Sequence, residues 1–207
     1  MKPYYDSDGI TIYHADCMDV LPSLSPVDLV LTDPPYNVGV EYGQLVDDNK
    51  EDFRAWIEPI FKECRRLART VLITGQAQLP TYALIEPWKW LLAWHKPAAM
   101  GRSPVGFCNW EPVAMWGDGS RAGADYVKAP IIPDPNVEGH PCPKPLGWAT
   151  GLLGLFPKAS SVLDPFMGSG TTLVAAKQAG RTAIGIEIEE QYCEMAVTRL
   201  AQGVLSL

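Results

Sequence analysis

The sequence has no run of 18 apolar residues, no CxxC pair, no Cys/His cluster and no excess of positive charge. The first absence excludes a membrane-spanning helix, so no membrane partner is expected. The five cysteines are an odd number without metal-ligand spacing. They imply reduced thiols in a cytoplasm rather than a disulfide framework, and a structural zinc site is not expected. The opening residues Met1-Lys2-Pro3-Tyr4-Tyr5-Asp6 carry no signal-peptide pattern. A net charge of -7 speaks against a nucleic-acid partner at first sight. Between Trp88 and Lys158, however, seven Lys/Arg stand against five acids, a local +2. A weakly basic face on an acidic body follows, with weak, salt-sensitive nucleic-acid affinity. There is no internal repeat or low-complexity tract.

What is present fits one α/β domain. The chain has 207 residues, 47% of them hydrophobic, enough for a sizeable core. Strand patterns fall at Ile10 to His14, Val27 to Leu31, Val71 to Gly75, Ser161 to Asp164 and Thr182 to Glu187. Trp88 to Pro97 and Asn109 to Trp116 read as two further strands flanking a long loop. Their five tryptophans (88, 90, 94, 110, 116) pack the hairpin or stack on bases. Helices are expected after Asp16, from Phe53 to Leu67, from Gln76 to Ile85, from Lys144-Pro145 to Phe156, from Thr171 to Ala179 and from Glu189 to Ala201. Phe53, Trp56, Ile57, Ile60, Phe61, Cys64 and Leu67 form a core stripe, with Pro59 on the polar face. His14 reads as structural. Residues 37–50 read as a loop beside the site. Residues 117–145 are irregular, either a recognition element or a plain surface loop.

Two stretches carry chemistry. The apolar run at Val27 ends in Thr32-Asp33-Pro34-Pro35-Tyr36, as a central strand does at the ligand-binding edge of an open sheet. The prolines remove two amide donors and leave rigid carbonyl acceptors beside a carboxylate and an aromatic ring. Such a patch suits a flat heterocycle bearing an amino group. An Asp-capped turn is the plainer reading. The second stretch is Asp164-Pro165-Phe166-Met167-Gly168-Ser169-Gly170-Thr171-Thr172, with Glu187 at the next strand end, 17 residues after Gly170. This is a nucleotide-type turn, with an acid placed for ribose hydroxyls. No lysine follows Gly170, which excludes a phosphate-binding P-loop, and Leu173 takes the place of a third dinucleotide glycine. A purely structural turn would leave Asp164 and Glu187 unexplained. Asp16 ends a strand and can cap the following helix, approach a ligand, or do both.

Together these motifs resemble the amino-methylating DNA methyltransferases that use S-adenosylmethionine. The Asp-Pro-Pro-Tyr motif precedes the glycine motif here, and that order resembles the permuted beta subgroup. The resemblance runs from about Ile10 to Leu200. It implies a Rossmann-like α/β methyltransferase fold with a mixed seven-stranded sheet and circularly permuted motif order. Residues 1–207 would form a single methyltransferase domain with a short candidate target-recognition insertion at about 97–143. It implies catalysis by Asp33, Pro34, Pro35 and Tyr36. Asp16, Cys17, Asp33, Lys144, Asp164, Pro165, Phe166, Gly168, Ser169, Gly170, Thr171, Thr172, Glu187 and Ile188 would bind S-adenosyl-L-methionine. Asn37, Lys96, Arg102, Arg121 and Lys128 would meet DNA. The implied reaction is methylation of the exocyclic amino group of adenine in DNA, since many cytosine enzymes of the family carry Ser where this chain has Asp33. Cytosine amino-methylation, RNA or protein amino-methylation, and a non-catalytic binding module are the alternatives. A homodimer stays open as the assembly, and no metal is implied.

Overall fold

A computed structural model describes residues 1–43, 48–97, 101–103, 106–132 and 137–202. In chain order the strands are β1 (Tyr5–Ser7), β2 (Ile10–His14), β3 (Val27–Thr32), β4 (Ala68–Thr74), β5 (Trp90–His95), β6 (Gly101–Ser103), β7 (Gly106–Cys108), β8 (Trp110–Gly117), β9 (Tyr126–Lys128), β10 (Ser161–Asp164) and β11 (Thr182–Glu187). The helices are α1 (Cys17–Val20), α2 (Phe53–Leu67), α3 (Leu79–Ile85), α4 (Leu146–Gly154), α5 (Thr171–Gln178) and α6 (Glu190–Gln202).

One mixed sheet runs in the order β1-β2-β11-β10-β3-β4-β8-β5-β9, and β6 pairs with β7 in a separate ribbon. The expected seven strands are all in it. The correction is that the sheet has nine, because β1 and β9, three residues each, add an edge strand at either end. Strands this short carry no readable alternation. Strands β2, β11, β10, β3 and β4 are parallel neighbours, while β8 is antiparallel to both β4 and β5.

Alternate residues of β3 explain its apolar run. Leu29 and Leu31 join the core under α4, α5 and α6, while Val30 joins the core under α1, α2 and α3. The strand is therefore covered on both faces. Helix α2 begins where Asp52 accepts from the Ala55 N–H at 2.9 Å. Its stripe of Phe53, Ile57, Ile60, Phe61, Cys64 and Leu67 is buried, and Pro59 is exposed. The face of α4 is wider than its sequence period suggested, taking in Trp148 and Leu152 as well as Ala149 and Leu153.

The topology locates the site. From β3 the chain crosses through α2 to β4 on one side. From β10 it crosses through α5 to β11 on the other side and the other face. Since β3 and β10 are neighbours, with Leu29 beside Val162, the crevice at their carboxyl ends is the switch point where open α/β sheets bind ligands. Asp16, Asp33, Asp164 and Glu187 all stand at or just past strand ends on that edge.

Candidate active site

A cleft opens at the switch point and encloses about 1070 Å³ down to bulk solvent. Asp16, Cys17, Asp33, Pro35, Lys144, Asp164, Glu187 and, from the glycine turn, Gly168 and Ser169 line it. On the β10–β11 side, Glu187 is tightly held. Its Oε2 accepts from the Gly168 N–H at 3.0 Å, and its Oε1 from the N–H groups of Ile188 and Glu189 at 2.9 Å each. Burial outweighs those bonds and lifts its pKa to about 7. Asp164 lies beneath the cleft floor, 3% exposed, and accepts from the Thr32 hydroxyl at 2.7 Å and the Phe166 N–H at 3.1 Å. Burial raises it to about 6. It thereby ties the end of β10 to the residue just before Asp33.

The glycine turn has two different jobs. Gly168 gives its N–H to Glu187. Gly170, at φ +78°, is the place where helix α6 comes closest: a Cβ there would lie 2.6 Å from that of Ala196. Gly170 therefore serves packing rather than ligand approach. Arg199 of α6, 6% exposed, braces the turn by donating to the Ser169 carbonyl at 2.6 Å and to the Thr171 hydroxyl at 3.1 Å. Asp16 does cap α1, its Oδ1 accepting from the Met18 N–H at 2.8 Å, and it also lines the cleft. The cap therefore does not take Asp16 out of the cleft.

On the β3 side, Pro34 is buried and Pro35 faces the cleft. The Tyr36 hydroxyl donates to Asp33 Oδ1, and the Lys144 ammonium donates to Asp33 Oδ2. That ammonium also lies 5.2 Å from the centroid of the Tyr36 ring. Burial and the Asp33 carboxylate push the Tyr36 hydroxyl well above its usual pKa. The ring is seated against Gly75, where a Cβ would come within 3.0 Å of Tyr36 Cε1. The Lys144 carbonyl accepts from the Thr171 hydroxyl at 3.1 Å, so the two halves of the cleft share a strut.

Several lining residues had no role in the sequence reading. Trp56, assigned to the core stripe, lines the cleft and packs at 5.7 Å from Phe166, with the Lys50 ammonium 4.6 Å from its own centroid. Tyr192, in the last helix, donates to the Tyr42 carbonyl at 2.5 Å. His140 stacks at 4.5 Å on Tyr192 and accepts from the Cys142 N–H through Nδ1, which leaves the hydrogen of the neutral ring on Nε2 above Gly168. Burial and Lys144 depress it to about 4. The proline-spaced run His140-Pro141-Cys142-Pro143-Lys144 was its one signal, a stiff lead into a residue already assigned.

The proposed nucleic-acid residues scatter. Lys96 is a correction: it is 8% exposed and paired with Glu111, so it braces β5 to β8 instead of facing solvent. Arg121 stands apart from the cleft: its neighbour Ala122 donates to the Leu155 carbonyl just past the end of α4, on the edge opposite Asp33. Asn37, at φ +56°, turns its amide inward onto both backbone groups of Lys50. Lys128 is exposed at the carboxyl end of β9, on the cleft's edge. Arg102 falls in β6, and its side chain lies outside the described residues.

Residues 109–198 match a family described as DNA methylase. YubD of Escherichia coli (strain K12) is 34% identical over 208 residues, covering 90% of this chain and 88% of YubD. The chain belongs to the DNA methylase family. The methylase is also 29% identical to the DNA adenine methyltransferase YhdJ of the same organism, over 95% of this chain and 84% of YhdJ. Its structure matches that of M1.HpyAVI in complex with SAM, at a TM-score of 0.70 and 27% identity, over 92% of this chain and 100% of the other. The family match begins just before β8 and takes in the glycine turn. The YubD and YhdJ alignments extend over most of the chain.

Proposed function

We propose that this methylase transfers a methyl group from S-adenosylmethionine to the exocyclic amino group of adenine in DNA. The observation that carries the reading is the meeting of Asp33 and Glu187 in one cleft, from adjacent halves of the sheet. The residues fit the methyl donor. Glu187 presents a carboxylate for ribose hydroxyls, and Phe166 and Trp56 offer aromatic faces. The Trp148 Nε1 donor, on a residue lining the cleft, is buried with no hydrogen-bond partner among the described residues. Such an orphaned group asks for a ligand acceptor or a water. Asp16, Cys17, Gly168 and Ile188 complete that side.

The donor supplies an electrophilic methyl group on a sulfonium. The chain must make a poor nucleophile attack it, because the lone pair of an exocyclic amino nitrogen is delocalised into the ring. The Asp33 carboxylate and the Pro34 carbonyl each accept one amino hydrogen, which turns the lone pair toward the donor side and favours the positive charge that develops on nitrogen. Tyr36 offers its ring to a base that has left the duplex. Within the insertion at about 97–143 we assign the reading of DNA to 97–109 and 129–143, because residues 110–117 and 126–128 are strands of the main sheet.

The choice of adenine is supported by the Asp at position 33 and by the name of YhdJ. The test is to incubate the protein with unmethylated DNA and labelled donor, digest to nucleosides and separate them. Label is expected in the deoxyadenosine fraction. Label in deoxycytidine alone overturns the base assignment, and label in neither overturns DNA methylation itself.

A further inference from the structure

We propose that the Lys144 side chain occupies the target-base site of the free protein, and that a base enters only by taking its place. The inference rests on the reading of Asp33 and Tyr36 as the base site. Two of the three contacts assigned to the base, the Asp33 carboxylate and the Tyr36 ring, are already made by one ammonium. It donates to Asp33 Oδ2, and it lies over the Tyr36 ring at 5.2 Å. The other carboxylate oxygen takes the Tyr36 hydroxyl, so each Asp33 oxygen already has a donor before a base arrives.

The physical reason is the burial of the carboxylate. The side chains of Asp33 and Lys144 are 19% and 14% exposed. A carboxylate this sheltered is costly without a partner. The ammonium fills that role while no base is present. It resembles the base in the respects Asp33 can sense: N–H donors, and the positive charge that the amino nitrogen gains as it is methylated. Release is sterically simple. The Lys144 backbone is fixed by the Thr171 hydroxyl, and the four-carbon stem can swing into the open cleft. The exchange also filters bases. A base that presents an amino group replaces the donor it displaces. A base that presents only a carbonyl there leaves Asp33 unpaired against another acceptor.

Two substitutions act in opposite directions. Lys144→Met removes the competitor, and KM for unmethylated DNA should fall roughly three- to tenfold, the scale of one charge-assisted contact relieved. Lys144→Arg strengthens it, since a guanidinium grips a carboxylate through two N–H groups, so KM for DNA should rise. Because Lys144 is also among the residues expected to bind the donor, KM for DNA is read at saturating donor in both variants. A lower kcat with an unchanged KM in the Met variant would overturn the proposal, because Lys144 would then act in the transition state. Occupancy is read without turnover by brief acetylation with acetic anhydride and mass spectrometry of the intact protein's peptides. Lys144 should react slowly in the wild type, and faster in Asp33→Asn or when duplex DNA is added with S-adenosylhomocysteine. Equal reactivity in the wild type and Asp33→Asn overturns the proposal, as does protection that DNA leaves untouched. A wild type that methylates no DNA overturns the proposed function instead, and the Asp33→Asn comparison still decides whether the ammonium sits on Asp33.

Discussion

At Glu187, two carboxylate oxygens serve three backbone N–H groups while burial lifts the pKa to about 7. The raised value favours the protonated form in the folded state. In the protein alone, this group's contribution to stability therefore declines as pH rises from about 4.5 to 7. With Glu187 as the proposed ribose acceptor, donor binding has the opposite slope, because the hydroxyls then need the ionised form. Affinity for S-adenosylmethionine should strengthen as pH rises to about 7 and level off above it, weakening by up to about tenfold per unit below. His140, depressed to about 4, stays neutral across that window. Calorimetry between pH 5.5 and 8 checks this, and Glu187→Gln should flatten the profile. A profile that keeps its slope in Glu187→Gln would assign the titration to Asp164, which burial raises to about 6. Asp33 separates catalysis from donor binding. Asp33→Ala should lower kcat by on the order of 10²-fold or more, as loss of a preorganised charge acceptor does, with donor affinity changed less than about tenfold. Near-normal turnover in single-turnover assays would refute its role.

Helix α6 acts on the site through the turn it presses against. Gly170→Ala places a methyl group 2.6 Å from Ala196 Cβ and forces a side chain into left-handed backbone at φ +78°. Overpacking and backbone strain together should cost about 2–4 kcal/mol, read as a lowered urea midpoint with the slope unchanged. The segment after Tyr36 has its own staple. Asp48, 3% exposed, accepts from the N–H groups of Asn37, Val38 and Val40 at 2.7, 3.0 and 2.9 Å. Asp48→Ala frees that backbone, so KM for DNA should rise roughly tenfold with a small change in thermal midpoint. An unchanged KM would mean that the segment takes no part in base binding. The elements that build the sheet were legible, because doubly buried strands such as β3 and β4 read as continuous apolar runs. The two crossover helices have a cap and a stop, Asp52 before α2 and Gly180 after α5. Strands β1, β6, β7 and β9 were not, since three residues show no alternation. The four acids of the cleft were legible as strand-end residues. Trp56 was not, because a helical period reports which face is buried and not which end meets a cleft. His140 and Tyr192 were hidden for a related reason, since their ring contact at 4.5 Å joins positions 52 residues apart.

The charge of the whole molecule sets how it can hold DNA. The net charge is -7, and among the described residues Lys96, Arg121 and Lys128 of the segment that looked basic in sequence do not share one face. Lys96 is spent on Glu111, and Arg121 sits on the opposite edge from the cleft. Among the described residues at the cleft's edge, the cations are Lys50, Lys128 and Lys144, of which Lys50 lies on Trp56 and Lys144 on Asp33. A duplex held there meets few fixed cations, and most of the acidic body repels it. Each phosphate contact contributes about 0.9 to the slope of log K against log salt, so three contacts give a slope no steeper than about -3. Specificity must then come from the extruded base and the cleft, while the phosphate backbone supplies modest affinity. Binding isotherms for an unmethylated duplex, measured with S-adenosylhomocysteine over a range of salt, test this. Lys128→Gln should flatten the slope by about one unit, and Arg121→Gln should leave it unchanged. A slope near -6 would place DNA on a cationic surface away from the cleft. A flattened slope in Arg121→Gln would do the same, by putting the duplex on the edge of the sheet where none of the four site acids lies.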